Sequence, residues 1–231
     1  FPYTTLFRSK NWSVALRGGV ATIGNFDGVH RGHALLVERL LARARSHNQP
    51  AIVFTFDPHP AAILRPDRVP LPLTGLERKA ELLAALGVDA LIAYPTDEQL
   101  LGLTAAEFFQ SIIRDQLDAR GLIEGPNFCF GKGRGGDVQL LASFCEAAGI
   151  YLETPAALQL GEQPVSSSRV RELLQVLFSL CQRRLVAPGH AHQGHHGQQA
   201  QRQLERQLVG VRVLGHRGVR GAICYGPERG T

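Results

Sequence analysis

The stretch VATIGNFDGVHRGH, Val20 to His33, decides how this chain folds. Its first half, Val20 to Phe26, is short, largely apolar and followed by Asp27-Gly28, so it reads as a buried strand entering a tight turn. Beyond the turn, Leu36, Val37, Leu40, Leu41 and Ala44 recur at three- and four-residue spacing, the apolar face of a helix. Strand, glycine-bearing loop and helix start in succession favour an anion, because glycines permit close backbone approach and the first helical N–H groups lack intrahelical partners. His30 and His33 flank Gly32 at a spacing that lets both imidazoles face one phosphate chain. An H-x-G-H at such a junction points to nucleotidyl transfer; the plainer readings are exposed loop histidines or a helix cap.

Working outward, Ala51 to Phe56 is a second strand, stopped by Asp57-Pro58-His59-Pro60, whose two prolines stiffen the loop into a candidate substrate flap. Thr74 and Glu77 have capping-box spacing and predict a helix over residues 74–86, closed by Gly87. Residues 89–94 form a third strand, and Thr104 with Glu107 predicts a helix to Leu117. A fourth strand over 121–124 runs into a glycine-rich loop over 125–136, then a helix over 137–148 and a strand over 150–154. This alternation predicts an α/β fold, a parallel sheet with helices on both faces. Ligands of such sheets lie beyond the carboxyl ends of the strands, where the loops after Phe26, Phe56 and Glu124 all fall. Those loops are therefore expected to converge.

In the third loop, four glycines with Lys132 and Arg134 resemble a phosphate cradle, while Phe128 and Phe130 suit core packing. A fourth element, VSSSRVR from Val165 to Arg171, precedes Glu172-Leu173-Leu174. One serine suffices to cap a helix there, yet three hydroxyls and two guanidinium groups also make an anion site, with Arg171 suited to bidentate phosphate contact.

Composition narrows the class. The 231 residues are 44% hydrophobic with mean hydropathy −0.05, which fits a soluble domain plus a remainder. No apolar run is long enough to cross a membrane, and no secretory pattern opens the chain. Cys129, Cys145, Cys181 and Cys224 are scattered without a C-x-x-C pair, so a reducing cytoplasm is expected rather than a disulfide scaffold or a zinc site. Arg183, Arg184, Arg202, Arg206, Arg212, Arg217, Arg220 and Arg229 face only Glu205 and Glu228 after residue 175, and more than account for the net charge of +5. Methionine is absent, and FPYTTLFRS at the start reads as a translated sequencing adapter. Residues 1–9 are accordingly expected to be an artefactual leader on a fragment.

Taken together, GNFDGVHRGH, TFDPHP, GPNFCFGKGRGGD and SSSRVR resemble, in order and spacing, the FAD synthetase module of bacterial bifunctional riboflavin kinase/FAD synthetases, over about residues 12–175. The resemblance implies a Rossmann-like nucleotidyltransferase fold that joins the AMP of ATP to FMN, with Mg²⁺ accompanying ATP and FAD as product. It implies that His30, His33 and Arg171 are catalytic. It assigns ATP to Gly24, Phe26, Asp27, Gly28, His30, Gly32, His33, Asn127, Ser166, Ser167, Ser168 and Arg171, and FMN to Asp57, Pro58, His59 and Pro60. No protein ligand for the metal follows from it. Here Ser168 stands where the family motif has threonine, and Val165 and Val170 where it has isoleucine.

The family's kinase domain is expected near residue 185, but its G-x-P-T-A-N signature is missing and HAHQGHHGQQAQRQ intervenes. Residues 176–231 are thus expected to be a truncated or corrupted, poorly ordered kinase region without kinase activity, although the parent protein is expected to carry one. His190, His192, His195 and His196 are expected to be disordered rather than chelating. Two alternatives stand beside this reading. One is an H-x-G-H transferase with another phosphate acceptor, such as a pantetheine or nicotinamide nucleotide. The other is a nucleic-acid-binding tail, disfavoured because its arginines lack aromatic partners for stacking. The expected partners are small molecules, with neither nucleic acid nor membrane.

Overall fold

A computed structural model describes residues 5–8 and 14–186, with isolated positions at 199, 202–204, 206–207, 211–212 and 224–225. Ala21, Ile23, Ile52, Phe54, Ile92 and Leu122 point to one face of a central sheet, and Val20, Val53, Leu91 and Ile123 to the other. Both faces are therefore apolar, as a parallel sheet covered on two sides requires. The strands are β1 (Thr5–Phe7), β2 (Val20–Ile23), β3 (Ala51–Asp57), β4 (Ala90–Pro95), β5 (Gly121–Ile123) and β6 (Tyr151–Glu153). They lie in the order β1-β4-β3-β2-β5-β6, every neighbouring pair parallel. The expected α/β architecture is present.

Helix α1 (Arg31–Ser46) buries Val37, Leu40 and Ala44 on one face of the sheet, beside α3 (Leu76–Ala85) with Leu82 and Leu83. The opposite face carries α5 (Ala105–Phe108), the winding Phe109–Gln116 and α6 (Val138–Ala148). Short helices α2 (Ala61–Leu64) and α4 (Glu98–Gly102) sit in the connections. A small hairpin of β7 (Gln159–Leu160) and β8 (Gln163–Pro164) leads into α7 (Ser167–Val186). No helix among the described residues is long and apolar enough to cross a membrane.

Several local expectations change. Thr74 does not cap α3: Gly75 holds that position without a side-chain cap, and the Thr74 hydroxyl instead accepts the Gly28 N–H at 3.1 Å. The Thr104–Glu107 capping box forms, but its helix turns into a π-helix over Phe109–Gln116 rather than continuing as α. Phe109, Ile112, Ile113 and Leu117 are buried along it. Thr5–Phe7, set aside as leader, supplies the edge strand beside β4. Helix α7 runs through the expected boundary at residue 175. Leu204 is buried against Val170 and Leu173. The expectations for His190, His192, His195 and His196, and for most of the arginine-rich tail, lie outside the described residues.

Candidate active site

The loop between β2 and α1 is held in a conformation its residues would not choose alone. Phe26 and Val29 sit at φ 46° and 38°, left-handed values that are costly for a ring-bearing and a β-branched side chain. Tertiary contacts impose them. Phe26 and Val29 are buried, and the Asp27 carboxylate accepts the Leu73 N–H at 2.9 Å and the Thr74 N–H at 3.1 Å. Gly28, at φ 82°, passes so close to Leu73 that a β-carbon would meet its Cδ1 at 2.8 Å. From the far end of the domain, the Ser167 hydroxyl donates to the Asp27 carbonyl at 2.8 Å.

His30 caps α1. Its Nδ1 accepts the backbone N–H of His33 at 3.3 Å, so the ring proton of the neutral imidazole resides on Nε2. The plain capping reading and the catalytic reading thus describe the same residue. The two imidazoles stack at 3.6 Å with 14° between planes, and Phe26 lies 4.7 Å behind His33. Burial lowers His30 from 6.5 to about 4, against opposing contributions from its own backbone and Asp27. His33 is lowered well below its usual value by burial, then by the charges of His30 and Lys79. Both rings are therefore neutral near pH 7. His33 Nδ1 is enclosed without a hydrogen-bond partner, an arrangement that costs about 1–3 kcal/mol and calls for a functional reason.

Arg171 reaches this loop from α7. It pairs with the Asp27 carboxylate, while its Nε donates to the Leu71 carbonyl at 2.9 Å. The expected free phosphate clamp is thus partly committed to protein. The serines divide: Ser166 Oγ accepts the Arg169 N–H at 3.2 Å as a cap, Ser167 fastens the Asp27 loop, and Ser168 is exposed. In the second loop, the Asp57–Pro58 peptide is cis and His59 Nδ1 accepts the Ala61 N–H at 3.0 Å. Burial lowers the His59 pKa, with Asp27 raising it and Arg171 and Lys79 lowering it further, so this loop shares the electrostatics of the first.

The third loop departs from expectation. Lys132 N–H donates to Leu103 O at 2.6 Å, and the N–H groups of Phe130, Arg134, Gly135 and Gly136 are spent within the loop. A β-carbon at Gly131 would lie 2.6 Å from Ala105 N. Gly131 and Gly136 let the loop pack on Ala105 of α5, and much of its backbone is spent on its own hydrogen bonds rather than left free for a phosphate. Phe130 is buried and stacks on Phe128, as the core reading expected. Asn127 is exposed in the loop after β5, the strand adjoining β2.

Sequence reasoning overlooked two buried polar residues, Lys79 and Glu124. Lys79 Nζ donates to Asn25 O at 2.6 Å and lies 3.5 Å from Thr55 Oγ1. Glu124 Oε1 accepts Ile23 N–H at 2.7 Å where β2 and β5 part, and burial raises its pKa well above normal. A lysine inside the apolar stripe of α3, and a carboxylate ending an apolar strand, were the available signals.

The FAD synthetase family model matches residues 13–169. This chain belongs to the FAD synthetase family. It is 37% identical over 199 residues to a bifunctional riboflavin kinase/FMN adenylyltransferase of Pseudomonas fluorescens, covering 85% of this chain and 64% of that protein. It is also 37% identical over 157 residues to the enzyme of the same name from Escherichia coli K12, covering 68% and 50%. The chain thus spans between half and two thirds of these FAD synthetase relatives. A solved structure described as a macrolide-efflux protein from Streptococcus pneumoniae superposes with TM-score 0.66 at 24% identity, over 75% of this chain and 58% of that one, a likeness of fold alone. The matched family region contains every FAD synthetase residue assigned above except Arg171, two positions beyond its end.

Proposed function

We propose that the chain is an FMN adenylyltransferase, moving AMP from ATP to FMN to give FAD and pyrophosphate. One observation carries this reading: in a member of the FAD synthetase family, the stacked His30–His33 pair at the start of α1 follows a loop whose Asp27 pairs with Arg171. A phosphate oxygen of FMN attacks the α-phosphorus, a new P–O bond forms, and the bond to the bridging oxygen breaks as pyrophosphate leaves. That nucleophile is already anionic near neutral pH, so catalysis rests on positioning and charge rather than a strong base. Neutral His30 donates from Nε2, and the positive end of α1 faces the anion. Arg171 has five N–H donors, of which Asp27 and Leu71 engage part, leaving others for phosphate oxygens.

ATP is assigned to Gly24, Phe26, Asp27, Gly28, His30, Gly32 and His33, with Asn127, Ser166, Ser167, Ser168 and Arg171. FMN is assigned to Asp57, Pro58, His59 and Pro60. Beyond that loop, Leu64 and Leu71 are 63% and 82% exposed, an apolar surface suited to a flat flavin ring. Among the described residues no cluster of three or more His, Cys, Asp or Glu is placed to hold a cation. Mg²⁺ is proposed as a companion of the ATP phosphates, held mainly by their oxygens with several waters kept. The substrates fit a cytoplasmic setting.

Incubation of the purified chain with ATP, Mg²⁺ and FMN, followed by chromatography, should yield FAD. Parallel reactions with phosphopantetheine and nicotinamide mononucleotide should yield no adenylylated product; transfer to either instead of FMN overturns the acceptor assignment.

A further inference from the structure

Lys79 occupies an unusual place. It belongs to α3 and is only 8% exposed, yet among the described residues no carboxylate lies within ion-pair distance of it. Its ammonium rests instead on two neutral oxygens, Asn25 O at 2.6 Å and Thr55 Oγ1 at 3.5 Å, at the carboxyl ends of β2 and β3. Thr55 Oγ1 in turn donates to the same Asn25 carbonyl at 3.2 Å. Taking a cation out of water without a counter-ion is costly, so a position needing only packing would favour leucine or methionine. A weakly screened charge there acts on whatever the neighbouring loops hold.

We propose that Lys79 is a positioning residue for adenylyl transfer: its ammonium fixes the main chain of the first loop at Asn25 and sets a positive charge beside the loops that carry His33 and His59. The proposal rests on reading the site as an adenylyl-transfer centre. The charged groups facing this region are Asp27 from the first loop, Asp57 at the end of β3, Arg171 from α7 and Lys79 itself. Asp27 and Asp57 favour the Lys79 ammonium while burial opposes it. Lys79 in turn holds down the protonation of His33 and His59. Burial is the larger cause and Lys79 adds to it, so the imidazoles stay neutral hydrogen-bonding groups, and the charge answering a polyphosphate comes from the lysine rather than from titrating rings.

The test is nitrogen-15 NMR titration of the histidines in the free protein, paired with steady-state FAD formation. Lys79→Met should raise the midpoints of His33 and His59 and lower kcat/KM for ATP on the order of tenfold. Lys79→Arg should restore the histidine midpoints. A purely structural lysine would lower thermal stability and leave those midpoints in place. Unmoved midpoints in folded Lys79→Met, or moved midpoints with unchanged kcat/KM, overturn the proposal. Should Lys79→Met not fold, the wild-type protein decides: the ring signals of His33 and His59 must shift a second time as Lys79 loses its proton at alkaline pH, and static signals overturn it. Because the titrations need no substrate, a failure of FAD formation in the wild type would dismiss the reaction and leave the charge relationship separately measurable.

Discussion

The guanidinium of Arg171 forms an ion pair with the carboxylate of Asp27, 144 positions earlier in the chain. The pair joins the start of α7 to the loop that precedes α1. The same carboxylate accepts the Leu73 and Thr74 amides, so one side chain fixes three segments.

Asp27→Ala should therefore destabilise the fold by about 3 kcal/mol, since it strands buried donors and a largely buried cation. Denaturant unfolding measures the loss, and Asp27→Asn should recover part of it by keeping an acceptor for the amides. A midpoint in Asp27→Ala equal to that of the wild type would contradict the fastening role.

His33→Ala should lower FAD turnover by about 10²-fold or more, the usual loss when one preorganised donor is removed. His30→Ala should show a comparable kinetic loss and also cost about 1 kcal/mol of stability, because it deletes the cap of α1. Unchanged turnover in His33→Ala would remove its assigned role.

Stability should fall as the pH drops from 6.5 toward 4. His30 titrates near 6.5 when unfolded and at about 4 when folded, so the unfolded chain binds more protons within that window. The stabilisation is fully present above pH 6.5 and is lost through pH 4, on the order of 3 kcal/mol for such a shift. Urea unfolding across this range should show a shallower slope for His30→Gln; an identical slope would refute the assignment.

Glu124 should act with the opposite sign. Its folded pKa is raised by burial, so the folded state binds the extra proton and stability is lost as pH climbs above the usual carboxylate range. Glu124→Gln retains an oxygen for the Ile23 N–H and should raise the melting temperature more at pH 8 than at pH 5. Equal gains at both pH values would show that this carboxyl does not titrate as described.

Periodicity made the sheet and its covering helices legible, because Val20–Ile23, Ala51–Asp57 and Ala90–Pro95 are apolar on both faces and bounded by turn residues. The H-x-G-H loop and Arg171 were legible as residue types suited to phosphate. Local pattern misled at Thr74, whose capping-box spacing is real but whose hydroxyl was taken by Gly28, and in the third loop at Gly131 and Gly136, which press on Ala105.

By itself, then, the sequence determined the alternation of strands and helices, the loops that would share one rim, and the chemistry available there. Tertiary structure alone decided that Arg171 would lean on Asp27, that His30 and His33 would be stripped of water and neutral, and that Lys79 would rest on the Asn25 carbonyl of their loop. The physical reason is that pairing and desolvation depend on neighbours dozens to more than a hundred residues distant. Spacing along the chain carries no record of them.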